Sequence, residues 1–214
     1  MLEKSFKDLE DRKMAEIIEI QLNRIFNYQE NFKSVIFNFS VMNLLFMSYR
    51  FGYEVLESSE YKELKREMLD ILKNAPVPKL AKPKIRKREG RTRIFTTDQK
   101  ALNSYFDKEF EKKGWDVHPA IVPGKGTRLY ADYRKRGVQI EVQFGNMARW
   151  YGDIFKFQLS YSLGIIEVGV SCVPTLKFAK TIDENVAYFE RVCRELPHAK
   201  MSITLPILVI GMEP

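Results

Sequence analysis

Tyr130-Ala131-Asp132-Tyr133-Arg134-Lys135-Arg136-Gly137-Val138-Gln139-Ile140-Glu141-Val142-Gln143-Phe144-Gly145-Asn146 is the stretch on which the fold turns. Its second half alternates, so a strand over Val138–Phe144 sends Val138, Ile140, Val142 and Phe144 to one face and Gln139, Glu141 and Gln143 to the other. The apolar face is core, and the polar face is expected to be surface. With Arg136-Gly137 as a two-residue hairpin loop, Lys135 faces Val138, and counting outward puts Asp132 directly opposite Glu141. A four-residue loop with the same centre gives the same pairing. Opposed carboxylates about 5 Å apart repel unless a cation lies between them. Hard oxygen ligands favour magnesium or another divalent ion of that kind. Such an ion can activate a water and stabilise the charge that builds on a phosphodiester. The same residues also read as a surface hairpin whose acids are offset by Arg134, Lys135 and Arg136.

On either side the periodicity changes. Apolar residues at helical spacing over Met1–Phe32, a Phe- and Leu-rich run over Val35–Leu56 and a charged segment over Ser59–Lys73 make residues 1–75 a helical region. Residues 76–94 form a basic arm, held extended by Pro76, Pro78 and Pro83. Thr96 with Gln99 three positions on forms a capping box for a helix to about Lys113, closed by Gly114. Strands are expected at Trp115–Val122, Arg128–Lys135, Val138–Phe144, Ile165–Val173 and Pro206–Ile210, with helices at Met147–Leu163 and Asp183–Leu196. Residues 95–214 are therefore an α/β sheet domain with a helical region in front of it.

The chain has 214 residues, 45% of them hydrophobic and 13% aromatic, which excludes disorder as its main state. Its apolar run from Val35 to Leu56 is broken by Asn38, Ser40, Asn43, Ser48, Arg50 and Glu54. No membrane helix is expected. The acid- and base-rich start never reaches an apolar signal core, so a cytoplasmic protein is expected. Cys172 and Cys193 are too few for a disulfide framework or a zinc cluster and read as free thiols.

The charge of +7 is unevenly spread: residues 1–75 carry 11 basic and 13 acidic side chains, residues 76–136 carry 17 and 7, and residues 137–214 carry 7 and 8. Between Lys79 and Arg93 stand Lys79, Lys82, Lys84, Arg86, Lys87, Arg88, Arg91 and Arg93 against the single acid Glu89. Such a field attracts a polyanion, and with DNA the binding would be steeply salt-dependent. A linker that is basic for solubility is the plainer reading. Gly124-Lys125-Gly126-Thr127 lacks the spacing of a phosphate loop. His118 and His198 have no partner at metal spacing, and neither a Gly-x-Ser-x-Gly elbow nor a His-Glu-x-x-His helix occurs.

At Asp132, nine residues before Glu141, followed by Glu141-Val142-Gln143-Phe144-Gly145-Asn146, a helix, the apolar Ile165–Val170 and the closing Pro206–Pro214, the sequence resembles a known family. It is similar to the type II restriction endonucleases of the PD-(D/E)XK nuclease fold, in the branch of BglII and BstYI, where glutamine stands in for the motif lysine. The resemblance covers roughly residues 95–214. It implies a restriction-endonuclease-like core, a mixed central sheet flanked by helices, and magnesium-dependent cutting of double-stranded DNA, with manganese as a substitute and no organic cofactor. Asp132 and Glu141 would hold the metal, with the Val142 carbonyl as a further ligand. Gln143 would replace the lysine, and because an amide is no base near neutral pH it could only orient the attacking water. Asn146 and Arg149 are placed to meet DNA near the scissile phosphate, and Asn146 serves equally well as a helix cap. Arg86, Lys87, Arg88, Arg91 and Arg93 would contact the DNA backbone.

A likeness to a member of this family that cuts a site of C and G alone implies a short target of that composition. It also prompts a reading of Met47, in Met47-Ser48-Tyr49-Arg50, as a wedge between base steps, although most methionines in such company fill cores. A palindromic target implies a homodimer on DNA. Two rival expectations are a repair or recombination nuclease of the same fold and a DNA-binding module without catalysis.

Overall fold

The computed structural model describes residues 42–88, 90–122 and 128–214. Residues 1–41 of the helical region expected over 1–75, and the loop 124–127, lie outside them. Residues Asn43–Tyr49 form β1, a strand, where the sequence suggested a helix. The reason is that both of its faces are partly covered. Leu44 packs on one core, and Met47 and Tyr49 on the other. Apolar residues therefore appear at odd and even positions alike, and a strand covered on both faces loses the alternation by which it is recognised. Arg50 and Phe51, at φ 48° and 64°, turn the chain into α1 (Gly52–Glu57). Gly52 lies so close to the start of the last strand that a Cβ would stand 2.2 Å from the Ile207 carbonyl carbon. The next helix, α2 (Lys62–Lys73), follows expectation.

The basic segment is a structured ribbon and not an extended arm. β2 (Lys79–Arg88) and β3 (Arg91–Thr97) pair antiparallel, with Ile85 opposite Ile94 and Arg86 opposite Arg93. Pro83 falls where the register shifts between Lys79 and Lys84, a place where a missing N–H does no harm. Thr96 and Thr97 complete β3, so the cap of α3 (Gln99–Lys112) is Asp98 and not Thr96. The Asp98 carboxylate accepts from the amides of Lys100 and Ala101 at 3.0 and 3.1 Å.

β4 (Asp116–Val117) and β5 (Tyr133–Lys135) are shorter than expected, while β6 (Val138–Val142), α4 (Met147–Ser162) and β7 (Val168–Pro174) stand close to their expected places. α5 (Leu176–Ile182), capped by Thr175, was not foreseen. The helix expected from Asp183 begins only at Phe189, as α6 (Phe189–Glu195), and runs into a 3-10 turn at Leu196–Ala199. β8 (Ile207–Glu213) closes the chain.

One six-stranded sheet runs in the order β1-β8-β7-β6-β5-β4, with β6, β7 and β8 parallel and the other pairs antiparallel. Alternation divides it cleanly. Val138, Ile140, Val168, Val170, Leu208 and Ile210 meet one core, shared with Leu64, Leu72, Phe106 and Phe178 of α2, α3 and α5. Val173, Ile207 and Val209 meet the other, shared with Trp150, Ile154, Phe157 and Val192 of α4 and α6. This is a mixed sheet between helices. Residues 42–73, assigned from the sequence to a region ahead of the core, supply it with an edge strand and two helices. α4 lies close because β7 carries Gly169 beneath it, where a Cβ would stand 2.9 Å from the Phe157 ring. Among the described residues no helix is long and apolar enough to cross a membrane. Both cysteines are free, and burial pushes the Cys193 thiol up to about 12.

Candidate active site

The Asp132 hairpin has the register read from its sequence. Tyr133 pairs with Ile140, Arg134 with Gln139 and Lys135 with Val138, so Asp132, one step before β5, stands opposite Glu141. Arg136 and Gly137 make the loop, both at positive φ (46° and 78°), the two-residue turn whose twist matches the flanking strands. Asp132 is tied into the hairpin by its Oδ2, which accepts from the Val142 amide at 2.8 Å.

The polar face of β6 is not a surface. α4 lies over it, and Gln139 and Glu141 are fully buried. Nor do the hairpin's own cations serve the acids: Lys135 pairs with Glu67 at 2.9 Å, and Arg134 and Arg136 donate to the carbonyls of Ala120 and Glu60. Lys156 of α4 takes that place, paired with both Glu141 and Asp153. Gln143 Nε2 donates to Asp153 Oδ2 at 2.5 Å, and its Oε1 accepts from the Gly145 amide at 2.7 Å. Gly145 is needed there, since a Cβ would stand 2.6 Å from Gln143 Oε1 and 2.9 Å from Arg149 Cδ. The site thus joins Asp132, Glu141 and Gln143, as expected, to Asp153 and Lys156, which sequence reasoning missed. A signal existed. Asp153 falls between Trp150 and Phe157 on the buried stripe of α4, and a carboxylate on an apolar helix face asks for a partner.

Burial, and after it the neighbouring charges, set the electrostatics. Asp132 is raised above the ordinary carboxylate range chiefly by burial, against the pull of Lys156 and the Val142 amide. Glu141 is raised further, by burial first and Asp132 next. Burial would lower Lys156, but Glu141 and Asp153 outweigh it and hold the ammonium charged. The donor set suits a divalent cation: the half-buried Asp132 stands opposite the buried Glu141 and raises it, and the buried Gln139 Oε1 beside them has no hydrogen-bond partner among the described residues. No three acidic, histidine or cysteine side chains among those residues form a ready metal cage. Magnesium does not require one, because it commonly takes one or two carboxylates and completes its shell with water and substrate phosphate.

A cavity of about 380 Å³ opens on the site, lined by Asp132, Val142, Gln143, Arg149, Asp153 and Lys156 among others. A second, of about 310 Å³, shares Gln99 and Arg149 with it and extends to Asn146, Arg86 and Asp183. Arg149 therefore stands on the path between the acids and the ribbon. Asn146 is the cap of α4, its Oδ1 accepting from the Arg149 amide at 3.0 Å.

The ribbon residues separate into two sets. Arg86 is held by Asp183 through two bonds of 2.7 and 3.0 Å, and Arg93 lies 3.6 Å from Glu184. Lys82, Lys84, Lys87 and Arg91 form no ion pair among the described residues, and Arg88 is exposed. Met47 does not stand at a tip. It is half-buried in mid-β1, opposite Val209 and packed on the second core, so as a wedge it would have to leave the sheet.

The described residues overlap two solved structures of similar fold. Restriction endonuclease BglII complexed with a DNA 16-mer matches at TM-score 0.65 and 19% identity, over 79% of this chain and 75% of that one. Free BglII matches at TM-score 0.58 and 18% identity, over 80% of each. No curated protein sequence matches the chain. The model of the restriction endonuclease BglII/BglIII family matches residues 44–212. Since that match takes in the edge strand, the ribbon, the acidic hairpin and the last strand, the chain belongs to the BglII/BglIII family of restriction endonucleases, enzymes that cut DNA at specific sites.

Proposed function

We propose that this chain is a magnesium-dependent type II restriction endonuclease that cuts both strands of a short palindrome as a homodimer, with manganese able to replace magnesium. The observation that carries the reading is the pair Asp132 and Glu141, set opposite each other on a hairpin, Asp132 half-buried on the lining of a cavity and Glu141 buried behind Lys156. Asp132, Glu141 and the Val142 carbonyl would hold the metal. Magnesium, when bound, supplies a water of lowered pKa and charge stabilisation at the phosphodiester. Gln143 has one amide N–H on Asp153 and a second with which to orient water. Arg149, between the two cavities, would meet a backbone phosphate, and Asn146 fixes the helix end that presents it. A two-fold partner would bring a second such site to the other strand. The target is proposed to be short and built of C and G. Plasmid incubated with the protein and magnesium should fall into discrete fragments whose sequenced ends share one palindrome. A nuclease that reads DNA structure would instead spare ordinary plasmid and cut branched or nicked DNA, and a non-catalytic module would leave both intact.

The ribbon would carry much of the sequence-independent affinity, through the lysines and arginine that the body of the protein does not engage. Replacing Lys82, Lys84, Lys87 and Arg91 by alanine is expected to flatten the slope of log K against log salt by about 0.9 for each phosphate that the variant no longer neutralises. Arg86→Ala should change the slope less, because its guanidinium is committed to Asp183. An unchanged slope in the fourfold variant would show that the ribbon does not touch DNA.

A further inference from the structure

Asp132, Glu141 and Asp153 bring three carboxylates beneath and beside α4, and one cation, Lys156, pairs with the last two. Lys156 Nζ is bonded to Glu141 Oε2, to Asp153 Oδ1 at 2.8 Å and to the Tyr130 carbonyl at 3.2 Å. All three ammonium hydrogens therefore have acceptors. The acids exceed this cation by two charges, which one divalent ion would balance. The two ends of the ion pair are unequally enclosed. The Glu141 side chain is 1% exposed and held from the other side by Gln139, whereas that of Lys156 is 15% exposed and lines the cavity. Glu141 is fixed, and the lysine, on a flexible four-carbon stem, is the partner able to leave. The oxygen it covers belongs to the carboxylate that a metal would need.

We propose that Lys156 is the resident counter-ion of the active site: it neutralises and positions Glu141 and Asp153 when no metal is bound, and competes with a divalent cation for Glu141. The proposal rests on the reading of Asp132 and Glu141 as metal ligands. Its consequence is that the free protein binds metal weakly, because each loading event must first move an ammonium group off a buried carboxylate. Lys156 is a positioning residue in this scheme, and a DNA phosphate at the cavity mouth is the anion to which its charge would pass.

Calorimetric titration of calcium into the free wild-type protein and into Lys156→Gln tests this without any cleavage. The variant keeps a polar group near Tyr130 and Asp153 but removes the competing charge, so it is expected to bind calcium about tenfold more tightly or better. Lys156→Arg, which keeps the charge, should stay near the wild-type value. Equal or weaker calcium binding by Lys156→Gln would overturn the proposal, because a lysine that only props the fold would not oppose the metal. If Lys156→Gln unfolds without divalent ions, calcium is expected to refold it, and failure to refold would also overturn the proposal. A wild-type protein and a folded Lys156→Gln that both ignore calcium would instead sink the underlying assignment of Asp132 and Glu141.

Discussion

Asp132→Ala and Glu141→Ala are expected to abolish cleavage while DNA stays bound. Each change removes one of two carboxylates that face each other across the hairpin, so a metal is neither held nor aimed at the phosphate. Each also deletes a negative charge beside the cavity, and DNA affinity measured by gel shift in calcium should be unchanged or higher. The two alanines differ in what they leave behind. Without Asp132 the part-buried Val142 amide loses its acceptor, a cost below the roughly 1–3 kcal/mol of a fully buried donor. Without Glu141 both Lys156 and Gln139 lose a partner inside the protein. Asp132→Asn and Glu141→Gln keep the shapes and most of these bonds, and should be as inactive as the alanines while melting above them. Gln143→Ala should be less damaging, since the amide orients without supplying charge. Robust cutting by any of the four acid variants would sink the assignment, and loss of binding together with cutting would mark the hairpin as structural.

What the sequence revealed of this site follows from how local each feature is. Asp132 opposite Glu141 was legible because a hairpin's register is set by its loop, and Arg136-Gly137 is chemically suited to the turn it makes. The burial of Glu141 was not legible from β6 itself. Alternation says which residues share a face but not whether a helix covers it, and Gln139-x-Glu141-x-Gln143 is as polar as any exposed face. Only α4, whose apolar stripe is interrupted at Asp153, carried the information that this polar face is roofed. β1 failed for the opposite reason: at a strand with core on both sides, composition reads as helix. The ribbon was legible as charge but not as form. Its net positive character is a property of composition, whereas the pairing of Arg86 and Arg93 with Asp183 and Glu184 depends on a segment about ninety residues away.

Asp132→Asn is expected to make the metal-free protein more stable at neutral pH, although it destroys the site. Burial raises Asp132 and Glu141 above the ordinary carboxylate range, and Asp132 is the next cause of the rise in Glu141. Groups raised in the folded state contribute stability that is full below their unfolded pKa and is lost as pH climbs through the folded one, because over that window the folded protein holds more protons than the unfolded chain. As pH rises in a chelator the wild-type protein therefore bears a growing penalty for ionising these acids. Asparagine relieves it in two ways, by removing one half-buried charge and by easing Glu141, while its side-chain oxygen can still accept from the Val142 amide. Lys156 loses one attracting charge, and the Val142 amide loses an ionised acceptor. Both are weaker influences than burial. The melting temperature should rise by about 2–4 °C for each kcal/mol recovered. That advantage should shrink as pH falls toward the ordinary carboxylate range, where wild-type Asp132 is protonated as well. Calcium should reverse the order, since a ligand at a hundred times its dissociation constant adds about 2.7 kcal/mol to the protein that binds it and nothing to the one that does not. A variant that melts below wild type at pH 8 in chelator would show that the charge of Asp132 is structural, held by Lys156 and the Val142 amide, and not a cost the fold bears for the sake of a metal.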